Sequence, residues 1–229
     1  MVDAQGLARS GLMAFASGGG RRIGFADAPE GAWLAYTDRI AVPEGLHAVD
    51  RMLALLEGAG IAPITDSGLF VPEDVEVDWA SWRSSSIGDG PYIALAPTSR
   101  WVSKEWPADH WAELARRLLG DGHTKRIVLL GGSGEVERLI EIAGGRSGIE
   151  ILAGQGPLAW SMAAVRDASL VVANDSAMLH AAAGFDVPLV GLFGPTDASI
   201  SGPFGRISDC ITSPDADSSL HYRDRNIGD

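Results

Sequence analysis

Between Tyr92 and Phe193 short apolar runs alternate with longer amphipathic stretches. The runs Tyr92 to Ala96, Arg126 to Leu130, Ile149 to Leu152, Leu170 to Ala173 and Leu189 to Phe193 predict strands. Between them, Pro107 to Leu119, Glu135 to Ala143, Leu158 to Val165 and Ala177 to Ala183 carry apolar residues at helical spacing. Pro107 suits a first turn, where its missing N–H would have no intrahelical acceptor. Strands apolar on both faces imply a parallel sheet covered by helices on both sides. Right-handed crossovers then make an open, doubly wound, Rossmann-like sheet, in which ligands bind at the carboxyl ends of the strands.

The pattern is thinner upstream. Val2 to Gly6 reads as the end of a strand running into a loop, and Arg22 to Phe25 as a short strand after Gly18, Gly19 and Gly20. His47 to Glu57 predicts a helix stopped by Gly58 and Gly60. Residues 61–90 mix Pro, Asp, Glu and Ser without sustained period and read as a linker or interdomain crossing. The expected organisation is a partial α/β domain over 1–60, a linker over 61–90 and a nucleotide-binding domain over 91–229.

Composition narrows the function classes. With 229 residues and 46% hydrophobic content the chain can bury a sizeable core. A net charge of −12 sets its surface against phosphate backbones, so no nucleic-acid partner is expected. A local cationic pocket for one phosphorylated ligand remains compatible with that charge. The single cysteine, Cys210, precludes an internal disulfide and suits a reducing compartment. No Cys/His cluster has metal-ligand spacing, so no metal is expected. No apolar run is long enough for a transmembrane helix. Asp3 and Gln5 stand where a signal peptide would be basic. A soluble, cytoplasmic protein is the expectation.

Four predicted strand ends carry candidate chemistry. After Ala96, Thr98 and Ser99 supply hydroxyls and Lys104 a compact cation, which together suit a diphosphate; a solvated polar loop would have the same spacing. After Leu130, Gly131-Gly132-Ser133-Gly134 lets backbone amides approach a ligand. Glu135 there could take ribose hydroxyls or simply favour a helix N-terminus. After Ala173, Asn174-Asp175-Ser176-Ala177 enters a helix whose first amides, at Ala177 and Met178, suit a phosphate. Asp175 would repel a bare phosphate and fits a sugar hydroxyl or a positioned cation better. His180, one turn in, could serve a phosphate or sugar oxygen or be a core histidine. After Phe193, Gly194-Pro195-Thr196-Asp197 could present Thr196 to the ligand or be plain connection. Trp111 fits the core better than a stacking role.

Together these motifs resemble glycosyltransferase family 9, the heptosyltransferases of lipopolysaccharide core synthesis. The matching stretches are APTSRWVSKEWPADHWAELARRL, IVLLGGSGEVERL and VVANDSAMLHAAAGFDVPLVGLFGPTD, with DAQGLARSGLMA, RRIGFADAPEGAWLAYT and HAVDR upstream. The similarity runs from about residue 2 to 205, and it is the combination that is specific. It implies a GT-B arrangement of two facing Rossmann-like domains, an ADP-heptose donor held mainly by the carboxy-terminal one, and inverting transfer without metal or other cofactor. By motif position, Thr98, Ser99 and Lys104 should approach the diphosphate and Glu135 the nucleoside. Asp175, Ser176 and His180 should hold phosphate and sugar, and Gly194 to Asp197 should complete the wall. Arg9 and Ser10 should lie on the acceptor side.

Two departures stand out. The family usually has Gly where this chain has Ala177. It also begins with a strand, a glycine-containing loop and a helix, and that loop carries an Asp thought to act as general base. This chain opens at what looks like the middle of that domain, so part of a two-domain enzyme is expected to be missing. The family's final helix is likewise not visible over Tyr222 to Asp229. Inverting transfer needs a base within reach of the acceptor hydroxyl. Asp3 is a poor candidate and Asp175 belongs to the donor side. Lys104 and His180 can still stabilise the leaving diphosphate.

The expected function is therefore heptose transfer from an ADP-sugar to a lipopolysaccharide-core-like glycan or glycolipid. That acceptor leaves room for a peripheral membrane encounter, and an incomplete domain leaves room for an oligomer. The alternative is a nucleotide-sugar-binding module that lacks the base. A third reading is another GT-B enzyme, such as a nucleotide-sugar epimerase.

Overall fold

The structure is a computed structural model and describes residues 1–66 and 68–214. The chain divides into two compact units, Met1–Asp66 and Ser67–Asp229. The expectation about Tyr222 to Asp229 lies outside the described residues.

The first unit contains strand β1 (Val2–Asp3), helix α1 (Ala8–Ala16), β2 (Ile23–Phe25), a 3-10 turn at Ala32–Ala35, β3 (Asp38–Ile40) and α2 (Ala48–Gly58). The three strands form a parallel sheet in the order β1-β2-β3. Its core is built from Ile23, Phe25, Tyr36 and Leu55 with Ala14, Ala28, Ala32 and Ala59. Gly24 is required there, because a Cβ would fall 2.2 Å from the Tyr36 ring. The helix at 48–58 was legible, with His47 capping it through Nδ1 and the Val49 amide. Helix α1 was not legible: Leu12, Met13 and Phe15 face outward and blur its period.

The second unit runs α3 (Glu73–Ser86), β4 (Ile93–Ala96), a 3-10 turn at Val102–Lys104, α4 (Ala108–Gly120), β5 (Ile127–Leu129), α5 (Val136–Ala143), β6 (Ile149–Ile151), α6 (Leu158–Arg166), β7 (Leu170–Asn174), α7 (Ala177–Gly184), β8 (Leu189–Phe193), α8 (Ala198–Ser201) and β9 (Cys210–Thr212). All six strands are parallel, in the order β6-β5-β4-β7-β8-β9. Two successive halves of this order wind outward from the β4/β7 pair, the doubly wound arrangement expected from the strand–helix alternation. One face is filled around Tyr92, Val128, Leu130, Val171 and Leu179, the other around Leu95, Trp111, Ile127, Leu129 and Ile142. Trp111 is fully buried, as the helical spacing implied.

Residues 61–90 differ from the linker expected of them. They contain α3, 14 residues long, and from Ser67 onward they belong to the second unit. Glu73, Asp74 and Glu76 favour its N-terminus and Arg83 its last turn. Its only fully buried side chain is Trp79, which stacks on Trp82, and Trp82 in turn meets Trp160 of α6. Two indoles do the packing that a regular apolar stripe would otherwise do, so no 3.6-residue period is visible. The short elements α8 and β9 were also unread, each being no more than four residues long.

Candidate functional site

The crevice of a doubly wound sheet opens where neighbouring strands send their connections to opposite faces. Here that point lies between the carboxyl ends of β4 and β7. Three of the four candidate strand ends meet there, around a cavity of about 450 Å³. Thr98, Ser99, Lys104, Glu135, Asp175, Ser176, Ala177 and His180 all line it, together with Trp101, Leu158 and Met178.

Polar bonds tie the strand ends to one another. The Lys104 ammonium donates to Asp175 Oδ2 at 2.6 Å, and the Thr196 hydroxyl donates to the same oxygen at 2.7 Å. Asp175 is thus buried beside a cation, and its charge does not stand alone against a phosphate. The Ser99 hydroxyl donates to the Asp175 carbonyl at 3.1 Å. Glu135 Oε2 accepts from the Thr98 hydroxyl at 2.8 Å and from the Gly132 amide at 2.5 Å. Gly131 fits this crowding: a Cβ there would stand 3.0 Å from both Glu135 Oε2 and Leu139 Cδ1.

At the third strand end, Ser176 is the N-cap residue of α7, yet its hydroxyl makes no capping bond. That oxygen is buried and has no hydrogen-bond partner in the protein. An unpaired buried hydroxyl costs about 1–3 kcal/mol. His180 is exposed at the cavity rather than a core histidine. Ala177 is exposed as well and also lines a neighbouring apolar groove of about 410 Å³ with Met162, Met178 and Phe204.

The fourth strand end enters indirectly. Neither Gly194 nor Thr196, both expected to face the ligand, lines the cavity. Thr196 acts on Asp175, and Asp197 caps α8 by accepting from the Ser199 amide at 2.8 Å. In the first unit Arg9 is exposed. The Ser10 hydroxyl is occupied with the turn before α1, accepting from the Leu7 amide and donating to the Leu7 carbonyl, each at 3.0 Å. Asp3 has both carboxylate oxygens engaged: Oδ1 takes the Gln5 and Gly6 amides and Oδ2 the Tyr36 hydroxyl at 2.7 Å. Burial opposes its charge, but the bonds from the Tyr36 hydroxyl and the Gly6 and Gln5 amides prevail and hold its carboxyl below the ordinary value. Among the described residues no three His, Cys, Asp or Glu are grouped to hold a metal, and no helix is long and apolar enough to cross a membrane.

Residues that lie inside the motifs but were given no role there support this site from outside the cavity. Asn174, completely buried, donates to the Pro97 carbonyl at 2.6 Å and accepts from the Trp106 amide at 3.2 Å. Glu105 accepts from the Ser99 amide at 2.8 Å and pairs with Arg138, also at 2.8 Å. Only their polarity beside a strand end could have drawn attention to them.

A switch-point crevice carrying a lysine–aspartate pair, two serine hydroxyls and a helix N-terminus, at the carboxyl edge of a parallel doubly wound sheet, makes this a Rossmann-like domain. The chain belongs to glycosyltransferase family 9 (heptosyltransferase), whose family model matches residues 1–226. Lipopolysaccharide heptosyltransferase 1 of Pseudomonas aeruginosa is 32% identical over 171 residues, which are 75% of this chain and 46% of that protein. The chain spans about half the length of several curated relatives it matches. Among solved structures, E. coli heptosyltransferase WaaC with ADP superposes with a TM-score of 0.72 at 26% identity, covering 93% of this chain and 66% of that one. E. coli ADP-heptose heptosyltransferase II gives a TM-score of 0.74 at 24% identity with the same coverage. The fold is thus the parallel-sheet α/β fold of the GT-B heptosyltransferases.

Proposed function

We propose that this chain binds an ADP-sugar, ADP-heptose being the expected donor, in the crevice between β4 and β7. The observation that carries this is the convergence of three strand ends on one cavity, where the buried Ser176 hydroxyl lacks a partner in the protein. The similarity to heptosyltransferases, one of them solved with ADP, supports the choice of nucleotide. In this reading Glu135 and Leu158 flank the nucleoside. Ser99, Lys104, Ser176 and the first amides of α7, at Ala177 and Met178, take the diphosphate. Asp175 and His180 meet the sugar. As the glycosidic bond to the diphosphate breaks, charge grows on the departing phosphate. Lys104, the α7 N-terminus and His180 stabilise it there without a metal.

The full reaction we propose is inverting heptose transfer to a lipopolysaccharide-core-like glycan or glycolipid, with Arg9 and Ser10 on the acceptor side. A second reading, donor binding without transfer, is favoured by Asp3, whose two oxygens are engaged, one by the turn amides of Gln5 and Gly6 and the other by the Tyr36 hydroxyl. Calorimetry with ADP, UDP and GDP tests the donor site. ADP is expected to bind at least about tenfold more tightly than the others, and failure to bind ADP would sink the reading. A turnover assay with ADP-heptose and a core acceptor separates transfer from binding alone.

A further inference from the structure

The loop from Pro97 to Trp106 carries Thr98, Ser99, Arg100 and Lys104, four of the polar side chains around the cavity. A loop of this length has many conformations, and a ligand that had to order it would lose affinity to that cost. The loop is held at both ends and cross-linked just inside them. Asn174, the last residue of β7, bonds the carbonyl of Pro97 at the loop's start and the amide of Trp106 at its end. Glu105 folds back across the loop and takes the Ser99 amide on Oε1. Its side chain is only 6% exposed, and Oε2 lies 2.8 Å from Arg138 of α5. That contact is a charge pair rather than an aligned hydrogen bond. Burial pushes the Glu105 carboxyl above its ordinary value, and the Ser99 amide and Arg138 pull against that. Arg138 lies one turn after Glu135, so the pair also ties the loop to the strand end assigned to the nucleoside. Neither Asn174 nor Glu105 nor Arg138 lines the cavity.

We infer that Glu105, through the bond it accepts from the Ser99 amide, and Asn174 are positioning residues that pre-form the donor loop and set affinity through Ser99 and Lys104 without touching the ligand. This rests on the donor-site reading above. Glu105→Ala removes the acceptor for the Ser99 amide, whereas Glu105→Gln keeps an acceptor oxygen for it and gives up the charge pair with Arg138. In the ligand-free protein, Glu105→Ala is expected to speed amide hydrogen exchange at residues 98–104 by at least about tenfold, with Glu105→Gln within about threefold of the parent. In calorimetry, Glu105→Ala is expected to weaken ADP binding by about tenfold or more, and Glu105→Gln to restore most of it. The loss should be non-additive with Lys104→Ala, adding less than about threefold once Lys104 is gone, because both act through one loop. Equal exchange in Glu105→Ala and parent overturns the inference. So does a Glu105→Gln protein as impaired as Glu105→Ala, or losses that simply multiply with Lys104→Ala. Failure of the unaltered chain to bind ADP overturns the donor-site reading instead, and the exchange measurement still decides whether the clamp exists. Asn174→Ser, which shortens the amide's reach within a buried site, should loosen the same loop segment; protection equal to the parent would remove Asn174 from the clamp.

Discussion

Asp175 shows how far a single residue can be read from sequence. Its place at a strand end marked it for the site, and its charge argued against a bare phosphate nearby. The structure resolves that tension with Lys104, 71 positions away in the chain, whose ammonium sits on the same oxygen as the Thr196 hydroxyl. The Lys104 and Asp175 side chains are 13% and 7% exposed. Breaking such a buried pair from one side leaves an uncompensated charge and costs about 3–5 kcal/mol. Lys104→Ala is therefore expected to lower the urea midpoint markedly and to weaken ADP binding by about tenfold or more. Unchanged ADP affinity in a folded Lys104→Ala protein would remove Lys104 from the diphosphate site. Ala177 carries a second residue-scale expectation. If its methyl crowds the ligand, Ala177→Gly should tighten ADP binding several-fold in calorimetry, at a helix cost of about 1 kcal/mol; equal affinity would show the methyl to be innocuous.

The elements that were legible are those whose period is local. β4 to β8 and α4 to α7 follow from apolar runs and 3.6-residue spacing to within about two residues. Helix α3 does not, because its attachment is a pair of indoles and a charge cluster rather than a stripe. Trp79 donates to Asp167 Oδ2 at 2.8 Å, and Arg83 approaches the same oxygen at 3.1 Å. Arg166 bonds the other carboxylate oxygen and also pairs with Glu76 of α3. Trp79→Phe keeps most of the packing but deletes a hydrogen bond to a charged acceptor, worth about 2 kcal/mol in chemical denaturation. Burial of Asp167 disfavours its charge, but the bonds from Arg166 and Trp79 and the charges of Arg166 and Arg83 prevail and hold its carboxyl below 3.8. A carboxyl depressed in the folded state stabilises above its unfolded value and loses that contribution as pH falls through the folded one. Stability is thus expected to fall below about pH 4. An Asp167→Asn variant, measured by urea unfolding at a series of pH values, should show a shallower decline over that range.

For the whole molecule, the two units each have their own sheet and core, so perturbing one is expected to spare the other's ligand chemistry. In the first unit, Gly24→Ala forces a methyl into the Tyr36 ring and should cost about 1–3 kcal/mol of that unit's stability. ADP affinity should stay as in the parent. Loss of ADP binding in Gly24→Ala would show that the donor site depends on the first unit.

The local order of residues determined the fold class, the doubly wound sheet and the strand ends at which chemistry gathers. Apolar period and turn chemistry act over a few neighbours and can be read along the chain. Lys104, Asp175 and His180 were therefore marked as candidates by their positions at strand ends, and they line one cavity. Only the tertiary structure decided which groups meet: Lys104 with Asp175, Thr196 with that pair rather than the cavity, Glu105 with Ser99 and Arg138, and Asn174 with both ends of one loop. Such contacts depend on the order in which strands pair, which places distant residues side by side and leaves no local signature.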